Sequence, residues 1–272
     1  MRSFWQRTLS GILFVAAIIG ALLGGPLPFL LLFAAITALS LYEFLQMTAA
    51  DQPPASRFLT TAAGVAVFIM HSLVAARYME TSALSWLLIL PLILWVDEMF
   101  RNRRHPMRHL SYSLTGLIYP ATLMSSLSYL AYLSPGETAF NHSLVISLFI
   151  LIWTNDTLAY LTGKRLGKHK LFPHVSPRKS WEGLAGGFLA TLLVAFLLYH
   201  LNEYMTPLHW FILAILVTIA GTLGDLCESY LKRSAGIKDS GSLIPGHGGI
   251  LDRFDAALFV FPIAYLYLSH VL

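Results

Sequence analysis

The chain has 272 residues, of which 56% are hydrophobic and only 12% charged, about half the charge of an ordinary soluble domain, in which roughly 25% of residues are charged. That balance excludes a disordered chain, a fibrous protein and a typical water-soluble enzyme, and leaves a membrane protein. The single cysteine, Cys227, excludes a disulfide framework and any C-x-x-C metal or redox motif.

Apolar runs between polar breaks predict nine helices, each near the ~20 residues that a bilayer requires. They cover roughly 9–24, 26–47, 58–77, 82–98, 110–133, 142–163, 182–201, 208–231 and 252–271. The first follows Arg2 and Arg7, as the apolar part of a signal peptide does. It runs through Gly24-Gly25-Pro26 directly into a second apolar run, which favours an uncleaved helix in a tight hairpin. The expected fold is all-α: a polytopic membrane bundle with about four helices in residues 1–109 and about five in a catalytic region, 110–272.

Charge placement orients the bundle. With the N-terminus in the cytoplasm, 17 of the 18 Lys and Arg residues fall on inner segments and only Arg77 falls outside, as the positive-inside rule requires. The net charge of +4 therefore belongs to a cytoplasmic membrane surface, and no nucleic-acid partner is expected. The basic stretch Arg101–His109 is a topology determinant that also touches anionic headgroups. Two longer inner segments, 163–182 and 232–251, have room for chemistry.

Ionised groups inside a bilayer cost about 2.5–3.5 kcal/mol each at a helix centre, yet the last four spans carry several. Thr218, Thr222, Asp225, Ser229 and Lys232 recur at helical steps along one face, with Glu228 beside them. The sixth span carries Asn155 and Asp156, and the ninth opens with Asp252, Arg253 and Asp255. At 1.5 Å of rise per residue, Asp156, Asp225 and Asp252 all reach the cytoplasmic third. A hard cation such as Mg²⁺, held by carboxylates and substrate phosphates, accounts for the set. A structural polar network neutralised by Lys232, Arg233 and Arg253 is the other reading. Zinc is excluded by the lack of H-E-x-x-H or a Cys/His cluster.

The segment between the last two spans adds anion donors. Gly246, Gly248 and Gly249 around His247 leave backbone amides open just before a helix N-terminus, and Lys238, His247 and Arg253 supply side-chain donors. Anion donors beside metal-binding acids are the pairing that phosphoryl chemistry needs.

The 27 residues Ser229–Asp255 resemble, position by position, the signature of the phosphatidate cytidylyltransferase (CDP-diacylglycerol synthase) family: S-x-L-K-R, K-D-x-G and I-P-x-H-G-G-I-x-D-R-F-D. Ser176-Pro177-Arg178-Lys179-Ser180-Trp181-Glu182-Gly183 resembles the family's S-P-K-K-T-W-E-G, with conservative changes at two positions. Asn155-Asp156 and Gly163-Lys164 are similar too. The resemblance covers roughly 150–271; residues 1–140 match only in hydropathy.

The resemblance implies that phosphatidate and CTP give CDP-diacylglycerol and pyrophosphate, the lipid phosphate attacking the α-phosphorus of CTP. It implies Mg²⁺ on Asp225 and Asp252, with K⁺ or another monovalent cation as companion. Lys179, Lys238, His247 and Arg253 are expected to hold phosphates, and Asp255 and Glu228 to support the metal ligands. Asn155, Asp156, Ser176, Ser180, Glu182, Ser229, Lys232, Arg233, Asp239, Gly248 and Gly249 are the further expected substrate contacts. Phosphatidate is expected to enter from the inner leaflet between helices, since each buried CH₂ is worth about 0.8 kcal/mol. CTP is expected through a basic mouth at Lys164–Lys179 and Lys232–Lys238. The resemblance also implies a bacterial cytoplasmic (inner) membrane, contact with membrane lipids and a homodimer.

Two other classes suit the same residues: a CTP-dependent lipid-alcohol kinase, which would release CDP, and an ion-coupled transporter, because intramembrane acids also mark ion pathways. Elsewhere the expectations are structural. Gly183-x-x-x-Gly187 predicts a close-packing face. Ser176-Pro177 predicts the start of a short interfacial helix presenting Arg178 and Lys179. Lys168 and Lys170 are assigned to the solvated membrane surface and Cys227 to packing; Glu43 suits a site role, but snorkelling or helix pairing is the favoured reading.

Overall fold

A computed structural model describes residues 2–48, 54–101, 105–134, 139–202, 205–241 and 248–272. The described residues are helical almost throughout, with one small β-hairpin. Helix α1 (Arg2–Leu23) reverses into α2 (Pro26–Thr48) through Gly25, at φ 94°. Glycine holds that left-handed angle without a Cβ penalty, and Pro26 opens α2 where a missing N–H costs nothing. The expected helical hairpin is present.

After α3 (Pro54–Ala75), the fourth expected span begins as a 3₁₀ helix, Thr81–Leu88, and continues as α4 (Ile89–Arg101). Pro91 lies in the first turn of α4, where proline is tolerated, and it offers no N–H to the turn before it. The fifth expected span is a composite: α5 (Pro106–Gly116), a widened π turn (Leu117–Thr122) and α6 (Leu123–Ala131). Pro120 within the π turn cannot donate to the ladder, and the Thr122 hydroxyl instead donates to the Leu117 carbonyl at 2.8 Å.

Four long helices complete the bundle: α7 (His142–Leu166), α8 (Trp181–Leu201), α9 (Pro207–Ser234) and α10 (Leu251–Leu268). Asn141 caps α7, its Oδ1 accepting from Leu144 N at 3.0 Å. Among the described residues, six segments are long and apolar enough to cross a bilayer: Pro26–Thr48, Ser56–Ala75, Thr81–Arg101, His142–Leu166, Trp181–Leu201 and Pro207–Ser234. The other three expected spans depart for visible reasons. The apolar part of α1, Thr8–Leu23, is shorter, the α5–α6 composite is divided by its π turn, and α10 opens on Asp252, Arg253 and Asp255. The protein is an all-α integral membrane bundle.

Packing brings the polar helices into register. Phe33 of α2 meets Phe149 of α7 and Phe254 of α10 at ring-centroid distances of 6.1 and 6.2 Å, and Phe14 of α1 meets Phe254 at 5.8 Å. Phe254 is 1% exposed, so this cluster fixes the rotation of α10 and turns its neighbours Asp252 and Asp255 away from the core. The glycine face on α8 is also present. A Cβ on Gly183 would lie 2.8 Å from the Ala159 carbonyl oxygen, and one on Gly187 would lie 2.8 Å from that of Asn155. The backbones of α7 and α8 touch there. At Gly224, α9 approaches α10 so closely that a Cβ would sit 3.1 Å from Ala256 Cα; this contact sets Asp225 near Asp255.

Candidate active site

Between α7 and α8 the chain forms an antiparallel hairpin, β1 (Lys170–Phe172) and β2 (Ser176–Ser180), with Lys170 opposite Ser180 and Phe172 opposite Ser176. This corrects the helix expected at Ser176-Pro177. Pro173 opens the hairpin turn, closed by Val175 N donating to the Phe172 carbonyl at 3.2 Å. Pro177 is accommodated because a two-stranded hairpin leaves one edge of each strand unpaired. The helix cap lies four residues later: Ser180 Oγ accepts from Gly183 N at 3.1 Å and starts α8.

The hairpin leans over a cavity of about 700 Å³. Helix α7 contributes Asn155, Asp156, Tyr160 and Lys164 to its wall, and the hairpin contributes Lys170, Ser176, Arg178, Lys179 and Ser180. Helix α9 adds Thr222 and Asp225, and α10 adds Asp252, Arg253 and Asp255. The acids of three helices thus meet the cations of the hairpin in one chamber. Tyr160, Arg178 and Thr222 were not among the expected substrate contacts, whereas Lys164 belongs to the segment expected to form the basic mouth. Lys170, expected on the solvated surface, reaches the wall because strand pairing sets it opposite Ser180.

Two lysines, in three lysine–carboxylate pairs, organise the chamber. Lys179 Nζ lies 2.7 Å from Asp225 Oδ2, and Ser229 Oγ donates to Asp225 Oδ1 at 3.2 Å. Asp156 and Asp255 line the same cavity, so this chamber gathers three carboxylates with Lys179. Deeper, Lys232 Nζ bridges Glu228 Oε2 at 2.6 Å and Asp252 Oδ1 at 2.7 Å. Asp252 also accepts from Gly249 N at 2.8 Å and Ser240 N at 3.1 Å. Gly248 sits at φ 83°, and a Cβ there would lie 2.6 Å from Asp252 Oδ2. Its glycine therefore serves the approach of the loop to Asp252.

Several expected residues stand away from the cavity wall. Glu182 accepts from Lys168 N at 3.1 Å, His169 N at 3.2 Å and His169 Nδ1 at 2.6 Å, and so ties the base of the hairpin to α8. Arg233 donates to the Ile237 carbonyl at 3.0 Å, closing the end of α9. Lys238 and Asp239 are exposed on the turn that follows. Glu228 and Lys232 are buried behind the wall. His247 lies outside the described residues.

Asp225 is 36% exposed at its side chain and Asp252 9%, so Asp225 is the more open carboxylate. Among the described residues, no group of three acids or imidazoles forms a ready-made metal cage. Mg²⁺ seldom uses one, because it binds through one or two carboxylates and keeps the remaining positions for water and phosphate. An excess of carboxylate charge over one lysine, open to a cavity with cationic walls, fits that donor chemistry.

A helical membrane bundle with a charged chamber at one end defines an integral membrane protein built to handle charged groups at the edge of a bilayer. The chain belongs to the cytidylyltransferase family, whose sequence profile matches residues 5–271. It is 35% identical over 285 residues to the phosphatidate cytidylyltransferase of Haemophilus influenzae, covering 96% of this chain and 98% of that protein. It is 30% identical over 278 residues to the Bacillus subtilis protein of the same name, covering 97% of each. A shorter match to the Staphylococcus aureus protein of that name is 45% identical over 121 residues, 44% of this chain and 46% of that one.

Proposed function

We propose that the protein is a phosphatidate cytidylyltransferase, joining the phosphate of a membrane-held phosphatidate to the cytidylyl group of CTP. The observation that carries the reading is the chamber itself: Asp156, Asp225 and Asp255 line one cavity with Lys179 and Arg178, in a chain matched across nearly its whole length by relatives of that name.

The reaction forms a bond between a lipid phosphate oxygen and the α-phosphorus of CTP. It breaks the bond from that phosphorus to the bridging oxygen, and pyrophosphate leaves. A phosphate monoester is largely ionised near pH 7, with a second pKa of about 6, so no residue has to remove a proton from the nucleophile. The difficulty is that two anions meet. Two unit charges 4 Å apart repel by about 4 kcal/mol at an effective dielectric constant of 20. Lys179, Arg178 and Arg253 offset that repulsion by holding phosphate oxygens, with Lys164 and Lys170 drawing nucleotide to the mouth. Asp225, supported by Ser229, would hold Mg²⁺ with Asp252, and K⁺ is the expected companion ion. An ion held there would supply Lewis-acid neutralisation of phosphate charge. Asp156 and Asp255 keep this end of the cavity electronegative.

The proposal includes nine spans, a cytoplasmic N-terminus and a catalytic region over 110–272, supported by the positive-inside distribution. The chamber then opens to the cytoplasm for CTP, and phosphatidate slides in from the inner leaflet. A substrate panel tests the reading. Purified protein with CTP and Mg²⁺ should convert phosphatidate to CDP-diacylglycerol and leave diacylglycerol and polyprenol untouched. Phosphorylation of either alcohol with release of CDP would establish a kinase instead.

A further inference from the structure

The motifs that carry the resemblance all lie beyond residue 150, yet an N-terminal helix sends a carboxylate into the catalytic half. Glu43 of α2 is 1% exposed. Its Oε1 accepts from Ile250 N at 3.1 Å, and its Oε2 accepts from Leu251 N at 2.9 Å and from Ser240 Oγ at 3.3 Å. Glycines give it room: a Cβ on Gly241 or Gly249 would each come within 2.7 Å of the Glu43 carboxyl carbon.

Ser240 lies six residues beyond the end of α9 and Ile250 immediately precedes α10, and Glu43 grips both. Asp252 also reaches Ser240 and the residue before Ile250, accepting from Ser240 N and Gly249 N. Ser240 joins the two systems, giving its backbone N–H to Asp252 and its hydroxyl to Glu43. The first free N–H groups of a helix favour a negative acceptor. A carboxylate delivered from a distant helix therefore locks the start of α10, and with it the place of Asp252 and Arg253 in the cavity wall.

We propose that Glu43 is a positioning residue for cytidylyl transfer, tying Ser240 to the start of α10 so that Asp252 and Arg253 stay aimed into the chamber. This rests on the cytidylyltransferase reading above. Glutamine at position 43 keeps the shape and one acceptor oxygen, but replaces the other with an amide donor facing donors.

Glu43→Gln and Ser240→Ala, the latter leaving the Ser240 N–H to Asp252 in place, are to be compared with the wild-type protein. Turnover is measured over CTP and phosphatidate concentrations, and amide hydrogen exchange is measured at Ser240 and at Gly249–Leu251. Glu43→Gln should lower kcat at least tenfold, change KM for CTP less than threefold and speed exchange at those amides, leaving the 163–182 hairpin unchanged. Ser240→Ala should move both readouts in the same direction by a smaller factor. Wild-type turnover and exchange in Glu43→Gln would overturn the proposal. If Glu43→Gln is not recovered folded, Ser240→Ala decides: unaltered exchange and turnover there overturn it. Exchange is read without substrate, so a wild-type protein inactive on phosphatidate would refute the functional reading alone.

Discussion

Lys179 and Asp225 form an ion pair of 2.7 Å, with side chains 24% and 36% exposed. The pair joins β2 to α9 across the cavity. Pairs this open contribute about 0–1 kcal/mol to stability, so the fold does not depend on it. On the proposed reading, its value lies in what each partner does when substrate enters. Lys179→Ala is expected to leave the melting temperature within a few degrees of wild type and lower kcat/KM by roughly 100-fold, about 2.7 kcal/mol. Lys168→Ala, outside the cavity wall, should change it less than twofold, and Lys170→Ala should fall between the two. Equal effects at all three positions would reduce the hairpin to a source of diffuse charge.

Removing charge from the acids should divide them by their surroundings. Asp225→Asn and Asp252→Asn are each expected to lose more than about 100-fold in kcat. Asp225→Asn should weaken the response to Mg²⁺ and leave the fold intact. Asp252→Asn also disturbs Lys232, Ser240 and Gly249, so faster proteolysis between α9 and α10 should accompany its loss of activity. Intact activity of both variants at limiting Mg²⁺ would exclude these ligands.

Glu182 was expected at the substrate and instead binds the base of the hairpin. Glu182→Ala should therefore act through loop position: protease cleavage within 163–182 rises, and KM for CTP rises more than kcat falls. A kcat loss with unchanged proteolysis would place Glu182 at the substrate after all.

The close approach of α7 and α8 predicts a stability effect without chemistry. Gly187→Ala forces a methyl against the Asn155 backbone and should destabilise by about 1–3 kcal/mol, the usual range for overpacking. Gly20→Ala, where a Cβ meets nothing within 4 Å, is the matched control and should have no such effect. Melting curves in one detergent compare the two.

Helices were legible because bilayer length, basic flanks and glycine spacing are local signals. Helix direction and rise placed Asp156, Asp225 and Asp252 at one depth, and all three line the cavity, with Asp255 added one turn along α10 from Asp252. The hairpin was not legible: Ser176-Pro177 carries a genuine helix-start pattern, and only the Pro173 turn and the competing cap at Ser180 decide against it. Glu43 was hidden for a different reason. Its partners are the backbone amides of Ile250 and Leu251 and the Ser240 hydroxyl, about two hundred positions away, and no side-chain pattern marks an amide as waiting for a carboxylate. Lys170 likewise became a wall residue only through strand pairing.

The central claim is transfer of the cytidylyl group to a lipid phosphate, and the fate of labelled CTP tests it most directly. Purified protein in phosphatidate-containing micelles with Mg²⁺ is given CTP labelled at the α- or the γ-phosphate, with a chelator-treated sample beside each. The account predicts that α-label moves into chloroform-soluble lipid and γ-label appears as pyrophosphate in equal amount, and that neither occurs under chelation until Mg²⁺ is restored. Transfer of γ-label into lipid with release of CDP, or the absence of lipid label in an intact, folded preparation, would contradict it.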